Sequence, residues 1–391
     1  MSSPERIYLD NAATSWPKPP AVADAVDRYL RELGAPAGRS GYREAAEVER
    51  RIRDTRRHTA QLIGVVEPKR VVLTAGCTDS LNLALHGLLR SGDHVVTTVL
   101  EHNSVLRPLR YLQERRGVEV TRVGCCEEGF VDVAAVAAAI RPSTRLIAMI
   151  HASNVTGALQ PIAKVAEIAH EHRVLLLVDA AQSLGVEPID VEALGIDLLA
   201  GPGHKGLLGP LGVGVLYFRE GVEDQVESAR QGGTGTQSED DRQPPTLPDK
   251  YESGNLNVPG ILGLEAGVQF LREHMVSVIR RHETELVARL VDGLQRIEGV
   301  TLHGPRDPQM RVGVVSISVA GFDPHEIAST LDAVYAIQVR SGLHCAPLMH
   351  RALGTLDRGG TVRLSLGPFT TADQIDCTVS AIAEISHAAG T

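Results

Sequence analysis

Two residues in the middle of the chain have the types and the spacing of a cofactor-binding pair. Asp179 ends the apolar run Val174–Val178, where a buried carboxylate is costly unless a cation lies against it. Lys205 follows the next short apolar run, one β-α-β step later. Pyridoxal phosphate chemistry requires both residue types, because a lysine forms the Schiff base and an acid keeps the pyridine nitrogen protonated. A helix-capping aspartate and a solvent-facing loop lysine are the alternative at this point.

The segment Thr74–Asp79 indicates an anion site. It follows an apolar run and opens a helical pattern, and the turn at Gly76 would present free backbone N–H groups to a phosphate. No G-x-x-x-x-G-K-[ST] motif occurs, and no G-x-G-x-x-G motif lies between a strand and a helix, which disfavours nucleotide chemistry. His102 would lie flat on a cofactor ring. Asn154 and Gln182 would bond its phenolic oxygen, although such residues are more often turn or cap residues.

These residues stand where apolar runs end, and the runs alternate with helical patterns from about residue 20 to 220. Ligands of open α/β sheets bind outside the carboxyl ends of the strands. Many runs are apolar throughout, which predicts a layered α/β domain with a mostly parallel sheet covered on both faces. The predicted strands are Val71–Leu73, Val95–Thr98, Glu119–Val123, Leu146–Ile150, Val174–Val178, Leu198–Ala200 and Gly212–Phe218. The predicted helices are Ala21–Leu33, Glu44–Ile63, Asp79–Leu89, Ser104–Arg116, Val133–Ile140 and Ile162–His172.

The last third of the chain has a different pattern. Gly221–Tyr251 is rich in Gly and Pro and is predicted to be a long loop, and a long helical stretch, Leu264–Ile297, follows it. The strand-like runs after it are Arg311–Val319, Tyr335–Val339 and Val362–Leu366. We expect a large domain over residues 16–262 and a smaller α+β domain over residues 263–391. Residues 1–15 are expected to pack near the smaller domain.

Composition disfavours several classes of protein. The net charge is −9, from 39 basic and 48 acidic residues, whereas nucleic-acid binding needs a basic face. The longest apolar run, Val133–Ile140, is far shorter than the about 18 residues that span a bilayer, so we expect no membrane segment. No secretory signal is visible, which predicts a cytoplasmic protein. The five cysteines show neither C-x-x-C nor zinc-finger spacing, so we expect free thiols and no metal site.

Six short motifs in one order resemble those of a known family. They are Leu9–Thr14 (LDNAAT), Glu101–Ser104 (EHNS), Ser153–Gly157 (SNVTG), Val178–Gln182 (VDAAQ), Gly203–Lys205 (GHK) and Arg340–Ala346 (RSGLHCA). From about residue 7 to 380 the chain resembles the class V aminotransferase superfamily, and within it the group II (SufS-like) cysteine desulfurase/selenocysteine lyase branch. The resemblance implies a fold-type-I pyridoxal phosphate enzyme with a mostly parallel seven-stranded sheet and a smaller α+β domain. It also implies a homodimer with active sites at the interface.

The resemblance implies a role for each matching residue around the cofactor. Lys205 would carry pyridoxal 5'-phosphate, Asp179 would face the pyridine nitrogen and His102 would stack on the ring. The other cofactor contacts that it implies are Gln182, Asn154, Gly76, Cys77, Thr78, His204 and, from the neighbouring subunit, Asn255.

The substrate side is implied in the same way. Arg363 would clamp the substrate carboxylate, a task that suits a bidentate guanidinium. Cys345 would attack the substrate sulfur, and Arg340, His344 and a loop containing Gly342 would supply a positive field and flexibility that favour a thiolate. The substrate contacts that the resemblance implies, besides Arg363, are Asn11, Ala13, Asn154 and Arg340.

The chain departs from the family pattern at three positions. Pro202 replaces a phosphate-binding serine, which removes a hydroxyl. Asn255 replaces the threonine that the neighbouring subunit usually donates. Leu343 stands where the branch has one of two paired histidines. These changes concern the phosphate contacts and the activation of the thiol, and they leave the lysine–aspartate pair intact.

The sequence thus predicts a cysteine desulfurase that converts L-cysteine to L-alanine. The sulfur would leave as a persulfide on Cys345 and pass to a protein sulfur acceptor. Alternatives on the same fold are a selenocysteine lyase, a C–S lyase acting on a larger thioether, and an aminotransferase. A non-catalytic sulfur-relay scaffold is the alternative from another class. The products distinguish the enzymes, and a lysine-bound chromophore distinguishes them from the scaffold.

Overall fold

The computed structural model describes residues 6–38, 41–237 and 239–388. Its strands are β1 (Ile7–Tyr8), β2 (Val71–Thr74), β3 (His94–Thr98), β4 (Glu119–Val123), β5 (Thr144–Ile150), β6 (Leu175–Asp179), β7 (Leu198–Pro202), β8 (Gly214–Phe218), β9 (Val300–His303), β10 (Val314–Val319), β11 (Ile337–Gln338), β12 (Arg340–Gly342) and β13 (Thr361–Ser365). Its α-helices are α1 (Pro20–Arg28), α2 (Arg43–Leu62), α3 (Cys77–Leu88), α4 (Asn103–Arg116), α5 (Val133–Ala138), α6 (Ile162–Glu171), α7 (Val258–His274), α8 (Val276–Leu294), α9 (Pro324–Tyr335), α10 (Pro347–Ala352) and α11 (Ala372–Ala388).

Seven strands form the large sheet, in the order β2-β8-β7-β6-β5-β3-β4. The pairs from β7 to β4 are parallel, and β8 runs antiparallel to both of its neighbours. Every residue of β6 and β7 is buried, as expected for central strands covered on both faces. The carboxyl ends of β5, β6 and β7 therefore meet at one edge, where Asp179 pairs in register with Ile150 and Ala200.

A second sheet has four antiparallel strands in the order β12-β13-β10-β9. Its register sets Arg340 of β12 directly opposite Arg363 of β13. The N-terminal strand β1 pairs with β11, and Leu9 packs into the hydrophobic cluster between this sheet and helices α8, α9 and α11. Asp10 bridges to Ser365 at the end of β13, so the N-terminal segment is held beside the two arginines.

Two predictions for the C-terminal third are wrong in detail. The helical stretch predicted over Leu264–Ile297 is two helices, α7 and α8, because the chain turns at Met275 with φ 58° and ψ 123°. The strand predicted over Tyr335–Val339 shrinks to the two residues of β11 and is followed by β12, which was not predicted. The segment Gly221–Tyr251 has no helix or strand among its described residues. None of the described helices is long and apolar enough to cross a membrane.

Candidate active site

A cavity of about 680 Å³ lies at the carboxyl ends of the central strands. Its size is within the usual range of small-molecule sites. The predicted site residues that line it are Ala13, Gly76, Cys77, Thr78, His102, Asn154, Asp179, Gln182, His204, Lys205, Arg340 and Arg363. The predicted residues outside this lining are Cys345, Asn11 and Asn255. Residues that follow strands distant in sequence therefore lie around one cavity.

Asp179 ends β6 and is 2% exposed. Its carboxylate accepts a hydrogen bond from the backbone N–H of Ala181 (2.9 Å) and one from Cys77 Sγ (3.5 Å), both at Oδ1. Burial raises the pKa of Asp179, and the Ala181 N–H and the charge of Lys205 oppose that shift. A cation beside Oδ2 in the cavity would complete the environment of this carboxylate.

Lys205 lies in the turn after β7, on the same cavity. The turn is tightly packed, since a Cβ on Gly206 would lie 2.4 Å from the carbonyl oxygen of Leu184. Burial lowers the pKa of the Lys205 amine. The guanidinium groups of Arg363 and Arg340 lower it further. A lowered pKa favours the neutral amine, which is the form that can bond to an aldehyde or accept a proton.

His102 caps the N-terminus of α4 while its ring faces the cavity. Its Nδ1 accepts a hydrogen bond from the backbone N–H of Ser104 (3.0 Å). Burial and the nearby charges of Lys205 and Arg340 lower the pKa of His102 to about 4. The ring is therefore neutral near pH 7 and carries its proton on Nε2, which suits it for stacking on an aromatic ring.

The N-terminus of α3 forms one end of the cavity. Gly76 precedes it with φ 155°, and no heavy atom lies within 4 Å of where its Cβ would be, so the backbone is open to a ligand. A Cβ on Gly214 of β8 would lie 2.6 Å from the Gly76 Cα, which explains the glycine there. Thr78 Oγ1 is 2.7 Å from Ser104 Oγ. This arrangement suits a phosphate, and Pro202 lines it without offering a hydroxyl.

Two arginines form the opposite wall, and one of them is fixed from behind. Arg363 is 1% exposed, its Nη2 lies 2.8 Å from Asp10 Oδ1, and its Nη1 donates to the carbonyl oxygen of Asn154 (3.1 Å). Asp10 lies in a quoted motif, yet no role was predicted for it. The motif Leu9–Thr14 was the only sequence feature that pointed to Asp10. The Asp10–Arg363 ion pair depends on the pairing of β1 with β11, which the sequence did not show.

Cys345 lies on a loop tied to the large sheet. Its carbonyl oxygen accepts from the Asn103 N–H (2.8 Å), and the carbonyl oxygen of His344 accepts from Asn154 Nδ2 (2.6 Å). His344 and Cys345 both have positive φ, 48° and 59°, which is uncommon for residues other than glycine. Arg340 Nη2 lies 3.7 Å from Cys345 Sγ, as the expected positive field requires.

The structure corrects the part assigned to His344. Its ring is buried, and its Nε2 lies 3.1 Å from Thr361 Oγ1. Burial, together with the charge of Arg363, lowers the pKa of His344 to about 2. His344 is therefore neutral and anchors the loop to β13, whereas the positive charge next to the thiol comes from Arg340.

Asn11 and Asn255 are not among the residues that line this cavity. Asn11 Nδ2 donates to the carbonyl oxygen of Ser365 (3.1 Å) and its Oδ1 accepts from the Trp16 N–H (3.1 Å), so this side chain ties the N-terminal segment to β13. Asn255 is exposed on the loop before α7. A role for it would require a second subunit.

The sequence matches class V aminotransferases over residues 7–377. The chain belongs to the class V aminotransferase family. A relative from Methanothermobacter thermautotrophicus, named as a probable cysteine desulfurase, is 36% identical over 98% of this chain and 95% of its own. A solved cysteine desulfurase from Thermococcus onnurineus matches with a TM-score of 0.92 and 33% identity, over 98% of this chain and 95% of that chain. Another, from Escherichia coli, matches with a TM-score of 0.87 and 28% identity over the same shares.

As a class V aminotransferase, the protein has the predicted fold-type-I architecture and depends on pyridoxal phosphate. The cavity fits that cofactor on its own evidence. Four buried polar atoms on its wall have no hydrogen-bond partner among the described residues: Asn154 Oδ1, His204 Nδ1, His344 Nδ1 and Arg363 Nε. Polar atoms that are buried in this way are costly unless a ligand bonds them.

Glu101 is a buried acid near this site. It belongs to the motif Glu101–Ser104, although no role was predicted for it from the sequence. Glu101 Oε1 accepts from Thr98 Oγ1 (2.7 Å) and from the Ile150 N–H (3.1 Å), so it links the ends of β3 and β5. Burial raises the pKa of Glu101 to about 8. The protonated carboxyl group fastens the two strand ends that carry the site.

Proposed function

We propose that the protein is a pyridoxal phosphate-dependent cysteine desulfurase that converts L-cysteine to L-alanine and leaves a persulfide on Cys345. One observation carries the proposal: a cysteine thiol lies beside Arg340 at the edge of a cavity that is lined by a half-buried Lys205 and a buried Asp179. The names of the relatives and of the solved structures support the same activity.

The geometry of the cavity supports the following roles in holding the cofactor. The α3 N-terminus with Gly76 would bind the phosphate, Asp179 Oδ2 the protonated pyridine nitrogen, and Lys205 the aldehyde carbon. When bound, the cofactor supplies an electron sink for the pair left by a proton removed from the substrate. His102 would cover one face of the ring and keep water from it.

Binding and proton transfer are proposed for the residues around the substrate. Arg363, held by Asp10, would bind the substrate carboxylate in a fixed orientation. Lys205, as a neutral amine, would take the proton from the substrate Cα and later return one. The Cys345 thiolate, facing the Arg340 guanidinium, would attack the substrate sulfur. A sulfur–sulfur bond forms as the substrate's carbon–sulfur bond breaks, and alanine leaves.

We further propose that the protein works as a cytoplasmic homodimer. Asn255 is exposed and outside its own cavity, so it is free to approach the phosphate of the neighbouring subunit. The five cysteines are all free, which suits a reducing compartment.

The proposal is tested by incubating the holoprotein with L-cysteine and no reductant, then measuring the Cys345 peptide by mass spectrometry. We expect a gain of one sulfur atom on that peptide and one alanine per subunit. Cys345→Ser should keep the bound cofactor's absorbance and form no persulfide, whereas the matched control Cys377→Ser, an exposed cysteine on α11, should behave as the wild type. Full turnover by Cys345→Ser would refute the role of Cys345.

A further inference from the structure

A second groove, of about 610 Å³, opens beside the cofactor cavity and has Cys345 at one end. Thr78, Asn82 and His102 line both spaces, so the two are adjacent. Cys345 lines the groove and does not line the cavity. The sulfur atom of Cys345 therefore lies between the cofactor cavity, where it would take up the substrate sulfur, and the groove, from which a second molecule would reach it.

The walls of the groove are the facing sides of α3 and α4. Asn82 and His86 stand four residues apart on α3, and Arg107 and Tyr111 stand four apart on α4, so each pair shares one face of its helix. The ring centroids of His86 and Tyr111 are 5.6 Å apart, which closes the floor between the helices. The groove is thus formed by two regular α-helices.

The charge of the groove is opposite to that of the whole molecule. The chain carries a net charge of −9, yet among the described residues that line the groove none is acidic, and Arg107 and Arg116 contribute cations. Neither arginine has a carboxylate within ion-pair distance in the described parts of the chain, in contrast to Arg110, which pairs with Glu114. Exposed arginines that have no carboxylate partner along a groove attract an anionic ligand.

The length of the groove indicates what kind of anion fits. Cys345 adjoins the N-terminus of α4, where its carbonyl oxygen accepts from the Asn103 N–H, and Arg116 lies at the other end, where it donates to the His86 carbonyl oxygen. Fourteen helical residues span about 20 Å, the reach of about six residues of extended chain. A small thiol would occupy only the end of the groove near Cys345 and would form no ion pair with Arg107 or Arg116.

We propose that this groove binds an acidic, extended segment of a sulfur-accepting protein and presents its thiol to Cys345. The inference rests on the proposed desulfurase function and names the chemistry of its acceptor. The acceptor thiol, deprotonated, attacks the outer sulfur of the Cys345 persulfide. A sulfur–sulfur bond forms on the acceptor, the bond to Cys345 Sγ breaks, and Cys345 leaves as a thiolate that takes up the proton. No external oxidant is needed, because the persulfide is exchanged between two thiols.

The test uses persulfide-loaded holoprotein and three synthetic peptides that each carry one cysteine. The cysteine is flanked by Asp and Glu, by Asn and Gln, or by Lys, and the appearance of peptide persulfide is followed by mass spectrometry. At low salt we expect the acidic peptide to react about tenfold faster than the lysine peptide, and salt should reduce this ratio. The double variant Arg107→Glu with Arg116→Glu should abolish or invert the preference. Arg296→Glu, an exposed arginine outside the groove, should leave it unchanged.

Two further readouts keep the outcomes distinct. Alanine formed in the loading step reports the desulfurase function itself, so no alanine from the wild type would overturn that function, whereas alanine without any charge preference would overturn the groove alone. Sulfur transfer to 2-mercaptoethanol reports the reactivity of the persulfide. If the double variant slowed this small neutral thiol as much as the acidic peptide, the arginines would act on Cys345 and not on docking, and the proposal would fail.

Discussion

At the scale of single residues, the site depends on titratable groups whose burial sets their protonation. Burial lowers the pKa of Lys205 and raises that of Asp179, so without a ligand the two side chains tend to be neutral. The pyridine nitrogen of the cofactor would take the proton of Asp179 and face the resulting carboxylate, and its aldehyde would meet Lys205 as a neutral amine. The types and spacing of these residues were visible in the sequence, but their burial was not.

Another buried acid allows a direct test of how burial acts on stability. Glu283 of α8 is 2% exposed, and burial raises its pKa to about 8. The charge of Arg280 opposes this shift only in part, because Arg280 Nε lies 2.6 Å from Glu187 Oε2 and the Glu187 carboxylate raises the pKa of Glu283 further. The folded state thus holds the proton of Glu283 at pH values where the unfolded chain loses it, so this residue's contribution to stability is present at acid pH and is lost as pH rises toward 8.

We therefore predict that Glu283→Gln increases the free energy of unfolding at pH 8.5 relative to the wild type, by on the order of a few kcal/mol, and changes it little at pH 4.5. Urea unfolding at the two pH values measures the difference. Glu285→Gln, an exposed change on the same helix, should show no such pH dependence. An equal effect of Glu283→Gln at both pH values would mean that the carboxyl group is not held protonated.

At the scale of elements, the break between α7 and α8 has a backbone cause. Met275 separates them with φ 58°, and its side chain is 58% exposed. We predict that Met275→Gly stabilises the protein by about 1 kcal/mol, since glycine adopts positive φ without a steric penalty. Met275→Ala, which removes the side chain and keeps the Cβ, should give no such gain. Thermal unfolding measures the stability of both variants. Equal changes in stability would show that the effect comes from losing the Met275 side chain and not from the backbone conformation.

Individual strands and helices show why parts of the fold could be predicted from the sequence and other parts could not. β6 is fully buried and apolar up to its last residue, so the sequence alone indicated both the strand and the position of Asp179 at its carboxyl end. The register that sets Arg340 opposite Arg363 joins strands that are both short and separated by α10, and the sequence carries no pairing signal for it. Likewise, nothing in the hydrophobic period around Met275 marks a turn, because α7 and α8 are both amphipathic.

At the scale of the whole molecule, the proposed dimer makes each active site depend on both subunits. Asn255 would serve the phosphate site of its neighbour, while Lys205 serves its own. We predict that Lys205→Ala and Asn255→Asp homodimers are both severely impaired, the latter because a carboxylate repels a phosphate. Random hybrids of the two should recover about one quarter of wild-type activity, since half the dimers are hybrids with one intact site.

Cysteine desulfurase activity after denaturation, mixing and refolding measures this recovery, with each variant refolded alone as the control. No recovery, with hybrids demonstrated by mass, would place Asn255 in its own subunit's site or in none. The sequence could propose the role of Asn255 by resemblance alone, because contacts between subunits leave no pattern within one chain.

The most direct test of the account is to find which lysine carries the cofactor. The holoprotein is reduced with borohydride, digested, and the modified peptide identified by mass spectrometry. We predict a pyridoxyl group on Lys205, and none on Lys18, which donates to the carbonyl oxygen of His204 nearby and whose pKa burial lowers to about 8. A pyridoxyl group on Lys18 or another lysine, with Lys205 unmodified, would contradict the assignment of the site.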